Sequence, residues 1–290
     1  MADPATPRPM VIGASGLLGR ALTRRLEAEF PETVAATRAE ADVTDRFRLE
    51  MEIERLNPTV VINCAAFTDV DGCTREPERA RTVNAIGAEN AARAAAASGC
   101  RLVQISTDYV FDGVGTRPYV EDDPVGPIQE YGRSKLDGER RVATAAPDHL
   151  IVRTAWLFGR DGGAFVTGIR RRALAGEPLR VVSDQTGSPT FVDDLADGIA
   201  RLLRVEHRGV VHLVNRGVGS RLEMTEVILA ALGLAGKVAV TPVAARELFP
   251  AADRPAYTAL STGLYERLTG AMPRAWQQAL ADALGGGAFA

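Results

Sequence analysis

The sequence has 290 residues, of which 46% are hydrophobic and 24% charged, and its formal net charge is -3. These values are ordinary for a globular protein and argue against nucleic acid as a partner, because basic residues are not in surplus. No apolar run is long enough to span a bilayer, and the first residues lack the apolar core of a signal peptide, so we expect a cytoplasmic protein without a membrane partner. The three cysteines, Cys64, Cys73 and Cys100, are odd in number and lack metal-ligand spacing. They predict reduced, buried thiols.

Short apolar segments alternate with helical patterns along the chain. Residues 59–66 and 101–107 are continuous apolar runs, which is typical of parallel strands covered on both faces. Further strands are predicted at 33–37, 149–159, 179–184 and 209–215, and helices at 48–57, 76–99, 132–146, 164–178, 193–203, 223–233 and 273–284. This alternation predicts an α/β fold with a Rossmann-type doubly wound parallel sheet.

A glycine-rich turn follows the first apolar run directly. The stretch GASGLLG starts at Gly13, has Gly16 in its middle and ends at Gly19. Between a strand and a helix, such a turn presents backbone N–H groups and the positive end of the helix to a pyrophosphate. We therefore predict that residues 1–155 form an NAD(P)-binding Rossmann domain.

The alternating pattern loosens after Gly159. Residues 156–290 are predicted to form mainly a smaller, C-terminal substrate-binding lobe. Segments near 179–215 are predicted to return to the sheet, since they again read as a strand, a helix and a strand.

The end of the second strand bears on the choice of cofactor. An acid that binds the ribose 2′-hydroxyl of NAD is usual at this position, whereas the sequence has Arg38 there. The planar guanidinium suits a 2′-phosphate, so we expect NADPH, with NADH as the alternative. Asp42 is predicted to contact the adenosine end of the cofactor.

Tyr131 and Lys135 are four residues apart in a run of helix formers, so they share one face of a helix. Taken alone, this spacing also fits a surface tyrosine beside a surface lysine. Thr107 ends a buried strand at the edge where open α/β sheets bind ligands. The spacing by itself favours the surface pair, so the catalytic reading depends on the rest of the chain.

Several motifs occur together and in order: GASGLLG, ADVTD, INCAAFTDVD, TVNAIGAENAARAA, STDYVFDG, EYGRSKLDGE, RTAWLFG and DQTGSPTFVDDLAD. Together they resemble the extended short-chain dehydrogenase/reductases and, within them, the dTDP-4-dehydrorhamnose reductase group. The resemblance covers nearly the whole chain. The sequence departs from the group's pattern at Ala256, Tyr257 and Thr258, where Asn-Ser is usual after Arg-Pro, and at Thr74, where an acid is common.

The resemblance implies a catalytic set. Tyr131 would donate a proton to the forming alkoxide, with its pKa lowered by Lys135 and by oxidised nicotinamide, and Thr107 would hold the carbonyl. Implied cofactor contacts are Gly13, Ser15, Gly16, Leu17, Leu18, Gly19, Arg38, Asp42, Val43, Cys64, Ala65, Ala66, Asn84, Tyr131 and Lys135. Implied substrate contacts are Thr68, Val70, Thr107, Asp108, Tyr109, Trp156, Gln185, Gly187, Thr190 and Arg254.

The implied activity is NAD(P)H-dependent reduction of the 4-keto group of a nucleotide-linked 6-deoxysugar, with a dTDP-linked substrate expected. The chemistry needs no metal, although Mg²⁺ bridging a diphosphate or subunits is left open, as is the choice between monomer and homodimer. One alternative is an epimerase or reductase of another sugar nucleotide. The other is a non-catalytic regulatory subunit like that of methionine adenosyltransferase, against which the intact Tyr131–Lys135 pair argues.

Overall fold

The computed structural model describes residues 7–159 and 163–285. The first half alternates strands and helices: β1 (Pro9–Ile12), α1 (Leu17–Glu27), β2 (Val34–Ala36), α2 (Arg46–Leu56), β3 (Val60–Asn63), α3 (Val70–Arg75), α4 (Pro77–Arg81), α5 (Gly87–Ala97), β4 (Arg101–Thr107), α6 (Glu130–Ala145) and β5 (His149–Thr154). A π-helical turn, Thr82–Ile86, joins α4 to α5, and a 3-10 turn, Asp108–Val110, follows β4.

The second half adds shorter strands: β6 (Leu157–Phe158), α7 (Ala164–Leu174), β7 (Leu179–Val182), β8 (Thr186–Gly187), β9 (Thr190–Phe191), α8 (Val192–Leu202), β10 (Gly209–His212), β11 (Gly219–Ser220), α9 (Arg221–Ala231), β12 (Val240–Val243), α10 (Ala245–Leu248), α11 (Gly263–Thr269) and α12 (Trp276–Gly285). Within the described ranges, no helix combines the length and the apolarity needed to cross a membrane.

The main sheet has the strand order β10-β5-β4-β3-β1-β2, and its paired strands are parallel. Helices α1 and α8 pack in the apolar cluster on one face, while α2, α5 and α6 contribute to the cluster on the other. The predicted doubly wound sheet is therefore confirmed. Its strands are buried because both faces carry helices, which explains their continuous apolar sequences.

The return to the sheet predicted near 179–215 is only partly seen. Residues 209–212 join the sheet as β10 beside β5, but β7 pairs instead with β12. The side chains of Leu179 and Val181 are buried in a separate apolar cluster with α9 and α12. The prediction is thus wrong for β7, because its apolar face packs within the C-terminal lobe's own core.

Candidate active site

The glycine turn between β1 and α1 has the geometry of a phosphate cradle. Gly13 has a φ of +76°, and a Cβ added there would lie 2.8 Å from the Ala65 nitrogen. Gly16 is the N-cap of α1, makes no side-chain cap, and is followed by a first turn without acidic residues. The N–H groups at this helix end are therefore aimed at the cleft without a competing carboxylate, which fits the pyrophosphate of a dinucleotide.

A cleft of about 440 Å³ extends from this turn over the ends of β2 and β3, and we call it the adenosine-end cleft. Among the residues predicted to bind cofactor, it is lined by Gly13, Ser15, Gly16, Arg38, Asp42, Val43, Cys64, Ala65 and Ala66. The Arg38 Nε donates to Asp42 Oδ2 at 2.9 Å. Burial raises the pKa of Asp42, but hydrogen bonds from Thr44 and Arg38 outweigh it and hold that pKa below its usual value.

A second cleft of about 480 Å³ shares Gly16, Cys64 and Ala66 with the first, so the two are continuous; we call it the catalytic cleft. It is lined by further predicted residues: Leu17, Leu18, Gly19, Thr68, Val70, Thr107, Asp108, Tyr109, Tyr131, Lys135 and Trp156. The structure thus brings the three predicted catalytic side chains to one surface. They meet at the carboxyl edge of the sheet, where a ligand site is expected.

Tyr131 faces the end of β4. Thr107 Oγ1 donates to Asp108 Oδ1 at 3.0 Å and accepts from the Tyr109 amide at 3.2 Å. The ring of Tyr109 meets that of Tyr131 edge to face, with centroids 6.0 Å apart. Burial raises the pKa of Asp108 to about 6 and that of Tyr109 to about 12.

In this structure the net shift of the Tyr131 pKa is upward, and the lowering expected from Lys135 together with oxidised nicotinamide stays a prediction. Burial raises the pKa of Tyr131, and the charge of Asp108 raises it further. Lys135 instead directs its Nζ to the Ile105 carbonyl oxygen at 2.6 Å, and burial lowers its own pKa to about 8. Tyr131 therefore holds its proton firmly at neutral pH, which is the state that a proton donor requires.

A buried ion pair supports the strand end from behind. Arg153 on β5 donates to both carboxylate oxygens of Glu139 on α6, at 3.0 and 2.8 Å. Glu139 also accepts a hydrogen bond from Ser106 on β4. Because Glu139 lies one turn after Lys135, this pair fixes the helix that carries Tyr131 and Lys135 against the strand that carries Thr107.

Trp156 has an unusual backbone for a tryptophan, with a φ of +47°. It interrupts the strand predicted at 149–159, so that β5 ends at Thr154 and β6 begins at Leu157. Its ring lines the catalytic cleft and packs over Gly187, where an added Cβ would lie 2.6 Å from Trp156 Cε2. The buried Trp156 Nε1 has no hydrogen-bond partner in the described part of the protein.

The three loop residues predicted to contact substrate do not line the catalytic cleft. Gln185 and Thr190 are buried, and the Thr190 amide donates to the Trp156 carbonyl at 3.3 Å. With Gly187 beneath the indole, the loop supports Trp156. Gln185, Gly187 and Thr190 line neither cleft in this structure, and their contact with substrate stays a prediction.

Two other predicted residues also lie away from both clefts. Asn84 occupies the π-helical turn, donates to the Phe67 carbonyl and to Ser134 Oγ at 3.0 Å each, and accepts from the Phe67 amide at 2.8 Å. It therefore ties the segment after β3 to α6, a role that fits the frequent use of π-turns near functional sites. Arg254 pairs with Asp71 through two hydrogen bonds of 2.8 and 3.0 Å, so its guanidinium is already neutralised.

Sequence reasoning missed Arg221, which lines the catalytic cleft at the start of α9. Its guanidinium carbon lies 3.8 Å from the Trp156 ring centroid and 4.7 Å from that of Phe165. No motif marks this arginine, since it comes to the cleft only when β11 pairs with β8. Arg79, also missed, lines the adenosine-end cleft over the Phe67 ring.

The three cysteines are free, and Cys73 and Cys100 are buried. Burial raises the pKa of Cys64 to about 12, so this thiol stays protonated beside the cofactor turn. Within residues 7–159 and 163–285, no group of three or more His, Cys, Asp or Glu side chains could hold a metal ion.

Comparison with known proteins decides the family. Residues 8–287 match the model described as the RmlD substrate binding domain. The chain belongs to this RmlD family. A curated relative, dTDP-4-dehydrorhamnose reductase of Mycobacterium tuberculosis (strain CDC 1551 / Oshkosh), is 42% identical over 284 residues, which cover 96% of this chain and 92% of the relative.

Two further RmlD-like proteins are similar over nearly their whole length. The dTDP-4-keto-6-deoxy-D-glucose reductase of Streptomyces niveus is 39% identical, with 96% of each chain covered. The crystal structure of dTDP-4-dehydrorhamnose reductase from Bacillus anthracis in complex with NADP has a TM-score of 0.90 and 36% identity, and it covers 95% of this chain and 98% of that one. The family resemblance predicted from the motifs is confirmed.

Proposed function

We propose that this protein uses NADPH to reduce the 4-keto group of a dTDP-linked 6-deoxysugar. One observation carries the proposal: Thr107, Tyr131 and Lys135 line one cleft that is continuous with a phosphate-cradling glycine turn. The names of the related reductases support a dTDP-ketosugar substrate. The NADP complex of the related structure supports the cofactor.

The chain divides the cofactor between its two clefts. The N-terminus of α1 holds the pyrophosphate, and Lys135 holds the nicotinamide ribose through its ammonium group. Arg38, at the rim of the adenosine-end cleft, binds the 2′-phosphate. When bound, the reduced cofactor supplies a hydride.

The remaining chemistry belongs to the protein side chains. Thr107 donates a hydrogen bond to the substrate oxygen as negative charge develops there. Tyr131, which lines the same cleft as Thr107, transfers its proton to the same oxygen. Because burial raises the pKa of Tyr131, the proton stays on the phenol until an alkoxide, which is a stronger base, is formed.

The test is cofactor oxidation by the purified protein with dTDP-4-keto-6-deoxyhexoses. We expect one equivalent of NADPH to be consumed for each ketosugar reduced, with slower turnover when NADH replaces NADPH. Conversion of the sugar without net cofactor oxidation would identify an epimerase instead. Failure to consume NADPH with dTDP-, UDP- and GDP-linked ketosugars would favour a non-catalytic role.

A further inference from the structure

Arg221 differs from the other deeply placed arginines in its electrostatic partners. Arg153 and Arg254 each form a bidentate pair with a carboxylate, Glu139 and Asp71 respectively. In the described part of the chain, by contrast, no Asp or Glu oxygen lies within 4.0 Å of the Arg221 guanidinium. Its hydrogen bond is to a weak acceptor, the sulfur of Met224, at 3.8 Å.

This guanidinium nevertheless remains charged. Burial lowers the pKa of Arg221 to about 10, and electrostatic interactions with Tyr109 and Asp108 act in the opposite direction. At neutral pH the side chain is therefore a cation in a wall made largely of aromatic rings. A partly buried cation without a carboxylate at ion-pair distance carries a desolvation cost, and an anion that binds beside it offsets that cost.

The surroundings favour a planar or anionic ligand over bulk water. Arg221 lies against Trp156, whose Nε1 is buried and has no hydrogen-bond partner in the described part of the protein. Ala164, the first residue of α7, lines the same cleft, and its N-cap residue, Gly163, has no side chain that could cap the helix. Its N-terminal N–H groups add positive potential on the same side of the cleft.

We infer that Arg221 binds the diphosphate of the sugar nucleotide and so sets selectivity for a nucleoside diphosphate. The inference rests on the proposed function in one respect: a 6-deoxyketosugar is itself uncharged, so the diphosphate is the only anion that such a substrate brings. The fork of the guanidinium can donate two hydrogen bonds to phosphate oxygens. The contacts of the guanidinium with the rings of Trp156 and Phe165 restrict the orientations open to that fork.

The experiment compares the binding of dTDP and thymidine by calorimetry, in the full chain saturated with NADP⁺. For wild type we expect dTDP to bind at least tenfold more tightly than thymidine, and more weakly as salt rises. Arg221→Met should weaken dTDP about 10–100-fold, the usual value of hydrogen bonds to a charged group, and leave thymidine and NADP⁺ within twofold. The matched control is Arg216→Gln, an exposed arginine of the preceding loop whose Nη1 also contacts a methionine sulfur.

Methionine is chosen because replacing a partly buried cation that has no ion-pair partner by an apolar side chain of similar length should not destabilise the fold. If Arg221→Met does not fold, Arg221→Gln takes its place with the same expected loss. Affinity for dTDP within twofold of wild type in the folded variant would overturn the inference. So would equal losses for dTDP and thymidine, because Arg221 would then shape the pocket without reading the diphosphate.

Failure of the proposed function can be told apart from failure of this inference. A wild-type protein that binds dTDP through Arg221 but oxidises no NADPH with ketosugars would refute the reductase and keep the inference. If the wild-type protein reduces the ketosugar while Arg221→Met binds dTDP normally, the reductase is supported and the inference about Arg221 is refuted.

Discussion

The two connected clefts differ in how far their charged side chains are exposed to water. In the adenosine-end cleft, the Arg38 side chain is 76% exposed and its partner Asp42 23% exposed. In the catalytic cleft, Asp108 and Lys135 are only 2% and 4% exposed. Water and salt screen the first pair, whereas burial shifts the pKa of Asp108 to about 6 and that of Lys135 to about 8.

The difference in exposure predicts in which cleft a substitution should change activity most. Groups in the catalytic cleft are held in fixed geometry and low polarity, so each contributes strongly to charge and proton balance. Groups at the adenosine end select between similar cofactors through exposed contacts. Substitutions in both clefts test this contrast, and those in the catalytic cleft should have the greater effects.

Tyr131→Phe should reduce kcat by about 10²–10⁴-fold, the range for a lost general acid. The affinity for NADPH should stay within about threefold, because the phenyl ring keeps the edge-to-face contact with Tyr109. Single-turnover kinetics and NADPH fluorescence titration measure the two quantities. The matched control is Tyr257→Phe, a tyrosine outside both clefts; turnover of Tyr131→Phe close to that control would remove Tyr131 from the proton-donor role.

The folding stability of Asp108→Asn tests whether burial in the catalytic cleft raises the pKa of Asp108. The pKa of Asp108 is raised in the folded state, from 3.8 to about 6. The folded wild type is thus favoured below pH 4 and loses that advantage as the pH rises through 6. The difference corresponds to at most roughly 3 kcal/mol, since each pKa unit equals about 1.4 kcal/mol.

Urea denaturation of wild type and Asp108→Asn at pH 4.5 and 7.5 measures this effect. We expect the variant to gain stability over wild type at pH 7.5, and most of that gain to vanish at pH 4.5. Asp122→Asn, which changes an exposed carboxylate, is the control and should show little difference. A gain that is equal at both pH values would mean that Asp108 is not held in a charge-disfavouring site.

The same contrast explains which parts of the site could be predicted from sequence. Gly13, Thr107 and Tyr131 take their places from the local order of strand, turn and helix, and the structure lines the clefts with them. Parallel strands bring their carboxyl ends to one edge whatever the later part of the chain contains. Short-range sequence order was therefore sufficient for the Rossmann half.

In the C-terminal lobe, position along the chain did not decide which side chain faces the cleft. Gln185 and Arg254 were predicted to contact substrate, but neither lines the catalytic cleft, and Arg254 pairs with Asp71, a residue 183 positions away in sequence. Arg221 reaches the cleft through the pairing of β8 with β11. Such contacts depend on tertiary packing between short strands, for which the sequence carries little periodic signal.

Trp156→Ala should have an intermediate effect. The substitution removes the surface on which Arg221 rests and one wall of the catalytic cleft, so the KM for the ketosugar should rise about tenfold, with a smaller change for NADPH. Steady-state kinetics with each substrate varied in turn measure both. Phe165→Leu, which alters the other ring beside Arg221, is the comparison, and an unchanged ketosugar KM in Trp156→Ala would mean that the indole only supports the fold.

Arg38→Ala should have the smallest effect, because its charge is exposed and partly balanced by Asp42. We expect the KM for NADPH to rise about three- to tenfold and the KM for NADH to change little, since NADH lacks the 2′-phosphate. The rise should shrink at high salt, where exposed charges are screened over about 3–10 Å. The effect should appear in KM, with kcat nearly constant, because Arg38 lies in the other cleft from Tyr131.

The matched control for this last prediction is Arg46→Ala. Arg46 forms the same kind of exposed i,i+4 pair, with Glu50 at 2.7 Å, but it lines neither cleft. It should leave both cofactor constants unchanged. If Arg38→Ala weakens NADPH and NADH equally, the arginine does not read the 2′-phosphate, and selection would have to come from Arg79 across the same cleft. If instead its effect on kcat approaches that of Tyr131→Phe, the contrast between a screened and a buried cleft does not hold.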